Sequence, residues 1–156
     1  MTTEKDHPDV LVPPPVALVL CVSVGWLLDR RWPAPFLPPG LPRWVLGGAL
    51  VALGLAVELW AFLLFRRART SVLPIRPTSA IVEVGPYRYS RNPIYLSMFV
   101  VVAGLAVVLD SLWQFAALVA LYAVLRWGVI AREETYLARK FGAAYLDYRR
   151  RVRRWL

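Results

Sequence analysis

The polar side chains able to do chemistry are concentrated in Gly85-Pro86-Tyr87-Arg88-Tyr89-Ser90-Arg91-Asn92-Pro93-Ile94-Tyr95 and, some way downstream, in the pair Glu133-Glu134. Gly85 and Pro86 predict a turn, and Asn92-Pro93 predicts a helix start with Asn as N-cap and Pro at the first helical position. Tyr95 then faces the same helix end, where unpaired backbone N–H groups can receive an anion. Two carboxylates beside arginines and tyrosines can hold a ligand carrying both an amine and a carboxylate. Arg91, Glu133 and Glu134 are therefore the candidate catalytic residues. A second reading has Arg91 and Glu133 as an interfacial ion pair and the tyrosines as an aromatic belt.

Other chemistries are excluded by what the chain lacks. His7 is its only histidine and lies in the polar leader 2–9, which argues against a Ser/His/Asp triad or a histidine metal centre. Cys21 is its only cysteine, so no intrachain disulfide and no cysteine metal cluster can form. No glycine-rich nucleotide loop, paired metal-ligand motif or nucleophile elbow occurs.

The elements that must position these residues read as helices in a bilayer. Hydrophobic residues make up 58% of the 156 residues and fall in long runs rather than at amphipathic spacing. The expected architecture is all-α, a polytopic membrane protein forming a single domain, with spans at 10–28, 44–65, 94–109 and 112–130. The leader is acidic and no small-residue cleavage site follows the first run, which therefore reads as a retained span. Pro13, Pro14 and Pro15 open that run and are tolerated only in a helix's first turn. The proline-rich stretch 32–42 predicts an ordered loop or linker at the membrane surface. In the second span Gly48, Ala52 and Ala56 form a small-residue stripe suited to close helix approach. Glu58 interrupts the same span, either as a functional carboxylate or as a structural group snorkelling toward the end marked by Arg66. The third span is short, about 24 Å if helical, so the loop before it is expected to dip into the membrane. Asp110 and Ser111 alone separate the third and fourth spans, which must form an antiparallel hairpin with a helix-capping turn. That hairpin returns Glu133 and Glu134 to the 85–95 loop. Beyond it, Leu137, Phe141, Ala144, Tyr145, Tyr148, Val152 and Trp155 recur at spacings of three and four, predicting an amphipathic helix over 131–156 lying along an anionic surface.

Lys and Arg number 19 against 10 Asp and Glu, and only Lys5 and Lys140 are lysines. These charges flank apolar spans, which points to anionic lipid headgroups and away from nucleic acid. Arg66, Arg67, Arg69, Arg76, Arg88 and Arg91 oppose Glu83 alone in the 66–93 loop, placing it in the cytoplasm. Four crossings put both termini on that side of the cell membrane.

The 85–95 stretch, an apolar hairpin, and then Glu133-Glu134-Thr135-Tyr136-Leu137-Ala138-Arg139-Lys140-Phe141-Gly142-Ala143-Ala144-Tyr145-Leu146-Asp147-Tyr148 resemble the isoprenylcysteine carboxyl methyltransferase family. That family carries an Arg-His-Pro-x-Tyr loop, a helix hairpin, and a Glu-Glu-x-x-Leu element leading into Phe-Gly-x-x-Tyr-x-x-Tyr. The resemblance covers 78–152. It implies S-adenosylmethionine-dependent methyl transfer at the membrane, with Tyr87, Asn92, Pro93, Ile94, Tyr95 and Glu133 lining the cofactor and Ala80, Ile81 and Val82 contributing backbone. Asn92 stands where eukaryotic members have histidine; it can position a ligand but cannot take a charge. A carboxylate acceptor is already anionic and needs no base, whereas a thiol or amine needs Glu133, Glu134 or a tyrosine. The arginine bias and small size suggest a bacterial source, so a lipid, isoprenoid-linked acid, or small apolar thiol or amine stands beside a prenylated substrate. Two other classes remain open: a non-enzymatic membrane subunit docking a partner or anionic lipid, and a reductase using a nicotinamide cofactor.

Overall fold

The computed structural model describes residues 6–74 and 76–156. Residues 2–5 of the leader and Ile75 of the 66–93 loop lie outside the described residues. The described chain is helical, without strands.

Helix α1, Pro14–Arg31, starts where Pro14 and Pro15 occupy its first turn, because a proline deeper in would remove a hydrogen bond and clash with the preceding turn. Residues 10–13 are therefore not helical, and the helix runs past the expected end at residue 28. Helix α2, Arg43–Arg67, is followed by a long loop containing a short 3-10 turn, Gly85–Arg88. Helix α3, Pro93–Leu109, and helix α4, Leu112–Phe141, form the expected antiparallel hairpin. Between them Asp110 adopts a left-handed conformation, and Ser111 occupies the N-cap position without a side-chain capping bond. Asp110 Oδ1 accepts the backbone N–H groups of Phe36 and Leu37, each at 2.9 Å, which orders the 32–42 linker. These two bonds hold the Asp110 carboxyl below the usual carboxylate range.

Helices α2 and α4 are long and apolar enough to cross a membrane. Helix α4 would be about 45 Å long as a regular α-helix, more than a hydrocarbon core requires, and its apolar part ends at Ile130. Within it, Val124–Ile130 is π-helical. This wider turn changes the angular phase of everything after it, Glu133 and Glu134 included. Gly128 O accepts the N–H of Leu11 at 3.1 Å, tying the N-terminal segment to α4.

The core lies between α1, α3 and α4, where Val102, Leu121, Leu125, Val129 and Ile130 are fully buried beside Ala17, Tyr95 and Met98. Helix α2 packs on the other side of α3. The expected stripe Gly48-Ala52-Ala56 does not make this contact: a Cβ on Gly48 would meet nothing within 4 Å, and Ala52 and Ala56 are exposed. The contact is made one residue away. A Cβ on Gly47 would lie 2.6 Å from Gly104 O, and one on Gly104 would lie 2.8 Å from Gly47 O. Both glycines are required because each backbone fills the space of the other's side chain. The close contacts on α2 are at Gly47 and Gly54, seven residues apart, and the opposing glycine on α3 selects the face.

The helix expected over 131–156 is interrupted. Its first part is the end of α4, and Gly142, at φ 52° and ψ −124°, turns the chain into α5, Ala143–Arg151, after which residues 152–156 are not helical. Of the apolar residues expected to face lipid, Ala144 is exposed but several others turn inward. Tyr145, Tyr148 and Val152 pack with Ile81, Leu137 and Phe141. Trp155 packs against the rings of Phe99 and Tyr122.

Candidate functional site

The 66–93 loop folds back along the last turns of α2. There Val82 and Tyr87 pack on Ala61, with Leu64, Phe65 and Ile94 around them. This placement, the first turn of α3, the end of α4 and helix α5 border a partly open cavity of about 360 Å³, within the usual range for small-molecule sites, roughly 300–1,000 Å³. Ala80, Ile81, Val82, Tyr87, Asn92, Ile94, Tyr95, Arg91, Glu133 and Glu134 all line it. Pro93 does not; it faces an outer groove between α2 and α3, because a residue at the first helical position turns away from Asn92 and Ile94.

The hairpin joins the two halves through two separate contacts. Tyr95 donates its hydroxyl to Glu133 Oε2 at 2.8 Å. Glu134, not Glu133, pairs with Arg91, at 3.1 Å from Nη1 to Oε1. The interfacial pair considered from sequence is thus displaced by one residue, since the π-helical turn rotates Glu134 toward the loop and Glu133 toward α3. Glu134 is further held by Arg154, whose Nε donates to Oε1 at 2.9 Å and Nη2 to Oε2 at 2.6 Å. Arg91 also donates to Tyr145 Oη at 3.2 Å, and its Nε is buried without a partner. Both oxygens of Glu134 are therefore engaged, whereas among the described residues Glu133 has only the Tyr95 hydroxyl and no cation. The two adjacent carboxylates differ in availability: Glu133 is free to meet a positive charge entering the cavity.

Asn92 sits at the N-cap position of α3, but its side chain does not cap the helix. Its Nδ2 donates to Arg154 O at 3.0 Å, Ser90 Oγ donates to the same carbonyl at 3.2 Å, and Arg91 N–H donates to Arg153 O at 3.0 Å. The C-terminal segment thus lies against the loop, and Asn92 ties the two together. Tyr148 donates to Tyr87 O at 2.8 Å, and Arg151 donates to Glu83 Oε2 at 2.8 Å, securing α5 over the loop. Burial pushes the Tyr87, Tyr145 and Tyr148 hydroxyls above the usual tyrosine range, with Glu133 adding to the effect at Tyr87. These hydroxyls remain protonated donors at neutral pH and do not serve as bases. Among the base candidates raised by the sequence, Glu133 is the one whose carboxyl has no cationic partner among the described residues.

Tyr148 and Arg154 were not singled out from the sequence as site residues, although the three-residue spacing of Tyr145 and Tyr148 after Phe141-Gly142 was a visible signal. Tyr136 also joins distant segments: its hydroxyl accepts from Thr78 N–H at 3.2 Å and lies 3.1 Å from Asp6 Oδ1. Among the described residues, no group of three or more His, Cys, Asp or Glu could hold a metal ion.

Residues 42–144, well over half of the chain, match the phospholipid methyltransferase family. The cobalt-zinc-cadmium resistance protein CzcN of Cupriavidus metallidurans is 29% identical over 80% of this chain and 50% of its own length. The nickel-cobalt-cadmium resistance protein NccN of Alcaligenes xylosoxydans xylosoxydans is 34% identical over 49% of this chain and 36% of its own. An uncharacterized protein of Haemophilus influenzae is 36% identical over 40% of this chain and all of its own. The chain spans half or less of the two resistance proteins it matches. The matched residues contain α2, the 3-10 turn, the α3–α4 hairpin and both carboxylates, while Tyr145, Tyr148 and Arg154 lie beyond them, and the chain belongs to the phospholipid methyltransferase family.

Proposed function

We propose that this chain is an integral membrane methyltransferase that uses S-adenosylmethionine to methylate a small lipophilic acceptor. The observation that carries the proposal is the cavity lined both by Glu133, which has the Tyr95 hydroxyl but no cation among the described residues, and by the Arg91 guanidinium. A carboxylate free to meet a cation, with the Arg91 guanidinium on the same wall, suits a zwitterionic ligand, and methyltransferases of this family generally use S-adenosylmethionine. In this reading Glu133 and Tyr95 face the ligand's cationic part and Arg91 its carboxylate. The backbone of Ala80, Ile81 and Val82, with Tyr87 and Ile94, lines the remainder, and Asn92 holds the loop closed. Bound there, the cofactor supplies a methyl group on a sulfonium, which departs with the bonding electrons as a neutral thioether. The protein's contribution is alignment and exclusion of water. A carboxylate acceptor, as in the isoprenylcysteine enzymes, is ready to react, whereas an amine or thiol gives up a proton, for which Glu133 is the available base.

In the same reading all four apolar helices cross the bilayer with both termini in the cytoplasm. Supporting this, α1 and α2 expose Val19, Leu20, Leu27, Leu53, Leu59 and Phe62 on their outer faces, a surface a water-soluble chain would bury. Thermal stabilisation of the purified protein by S-adenosylhomocysteine, set against NADPH, tests the cofactor assignment. Stabilisation by the homocysteine compound alone, lost in Tyr95→Ala/Glu133→Ala, is expected. No stabilisation, or stabilisation unchanged in the double variant, overturns it.

A further inference from the structure

Pro93 borders a groove of about 320 Å³ on the outside of the helix pair α2 and α3, and no residue lining this groove also lines the cavity. Leu53, Val57 and Trp60 of α2 form one wall, and Leu96 and Val100 of α3 form the other. The floor is closed because the helices touch there: a Cβ on Gly54 would lie 2.6 Å from Val101 Cγ2 and 2.9 Å from Ser97 O. From Trp60 to Leu53 the groove follows α2 for about 10 Å, out of the roughly 15 Å of hydrocarbon in one bilayer leaflet. Both of these residues are at least half exposed, so the groove faces outward from an apolar helix long enough to cross a membrane. A narrow apolar trough of this length accepts a stretch of one alkyl chain.

At its Trp60 end the groove is rimmed by Tyr89, Ser90 and Leu156. Arg91 N–H donates to Arg153 O at 3.0 Å and Ser90 Oγ to Arg154 O at 3.2 Å, which sets the 85–95 loop and the 152–156 segment side by side at this mouth. Arg88, next to Tyr89, and Arg153 are both exposed, and neither guanidinium has a partner among the described residues. No acidic residue lines the groove. Two uncompensated cations at the mouth of an apolar trough complement an amphiphile with an anionic head and an alkyl tail. A second copy related by two-fold symmetry in the same membrane would instead bring its own Arg88 and Arg153 to the mouth, like charge against like. We propose that the α2–α3 groove holds one acyl chain of an anionic phospholipid whose phosphate meets Arg88 and Arg153, a resident lipid on a different face of α3 from the cavity. This site is separate from the one assigned to methyl transfer and does not rest on that reading.

The test titrates purified, delipidated protein in a non-ionic detergent with dioleoyl phosphatidylglycerol or dioleoyl phosphatidylcholine and counts bound lipid by native mass spectrometry. A preference for phosphatidylglycerol on the order of tenfold is expected at the tightest site. Arg88→Gln/Arg153→Gln should bring it below about twofold, whereas Arg149→Gln/Arg150→Gln, which removes the same charge from the exposed face of α5, should leave it in place. Leu96→Trp and Val57→Phe fill the groove from opposite walls, and each is expected to weaken phosphatidylglycerol binding severalfold, with circular dichroism reporting that the helices are intact. Glycerol 3-phosphate in large excess, a headgroup without chains, should displace no lipid from the wild type, a measurement that depends on no variant folding. Equal binding of the two lipids, a preference lost equally in the two arginine pairs, undiminished binding in a filled variant, displacement by glycerol 3-phosphate, or a lipid-free dimer in place of the lipid adduct overturns the inference.

Discussion

Replacing Glu134 by Leu tests whether the site wall is held by a buried charge cluster. Its carboxylate accepts three charge-assisted contacts, two from Arg154 at 2.9 and 2.6 Å and one from Arg91 at 3.1 Å. The side chains of Glu134 and Arg91 are 11% and 8% exposed, and that of Arg154 is 27% exposed. Removing one partner of a buried pair typically costs about 3–5 kcal/mol, because the remaining charge is left desolvated. Arg154 can turn toward water but Arg91 cannot, and its Nε already lacks a partner. The expected loss is therefore near the lower end, about 3 kcal/mol, equivalent to a fall in Tm of roughly 6–12 °C for a chain of this size. Glu134→Gln keeps acceptor capacity on one oxygen and is expected to lose about 1–2 kcal/mol. The decisive measurement is the cycle with Arg91→Leu, in detergent, following thermal or denaturant unfolding. The double variant Arg91→Leu/Glu134→Leu should be less destabilised than the sum of the two singles by about 1–3 kcal/mol. Additive losses, or a loss below about 1 kcal/mol for Glu134→Leu, would refute the reasoning and make the cluster a solvated surface feature.

Three further outcomes are expected. Glu133→Gln should weaken binding of S-adenosylmethionine by on the order of tenfold, or about 1.4 kcal/mol, in calorimetric titration. The same substitution should leave the ligand-free protein no less stable, since it removes a charge with no cationic partner. Gly47→Ala should destabilise by about 1–3 kcal/mol by overpacking against Gly104, whereas Gly48→Ala should stay within about 0.5 kcal/mol; equal effects would show that the contact face is wrongly placed. The linker amides of Phe36 and Leu37 should lose protection, measured against the intrinsic exchange rate at each pH, as pH falls below about 4. The sign follows from the Asp110 carboxyl being held below its unfolded range: its contribution is complete above the unfolded value and is lost as the folded one is titrated. Hydrogen exchange in Asp110→Asn should lack this acid-dependent loss of protection.

Much of the architecture is legible along the chain because helices in an apolar solvent announce themselves locally. Runs of Leu, Val and Ala define α2, α3 and α4, Pro13–Pro15 delimit the start of α1, and the two-residue link at Asp110-Ser111 leaves only an antiparallel hairpin. The pairing of the 85–95 loop with Glu133-Glu134 follows from that hairpin, and so the neighbourhood of the site is readable before any coordinate. The helix over 131–156 is misread because Gly142 within an amphipathic pattern can be a tolerated interior residue or a break. Only packing of Tyr145 and Tyr148 on the loop decides for the break.

Local pattern, then, is enough for the all-helical chain, the hairpin and the identity of the polar residues gathered at one end, since these depend on hydrophobicity, length and turn chemistry. What it leaves undecided is phase: which of two adjacent residues faces a neighbour. Gly47 rather than Gly48 meets α3, Glu134 rather than Glu133 meets Arg91, and Glu58 opens onto two hollows. Each outcome turns on about 100° of helix rotation. That rotation is set by an opposing glycine, a π-helical turn or a returning C-terminal segment, contacts between residues distant in the chain that exist only once the helices have packed.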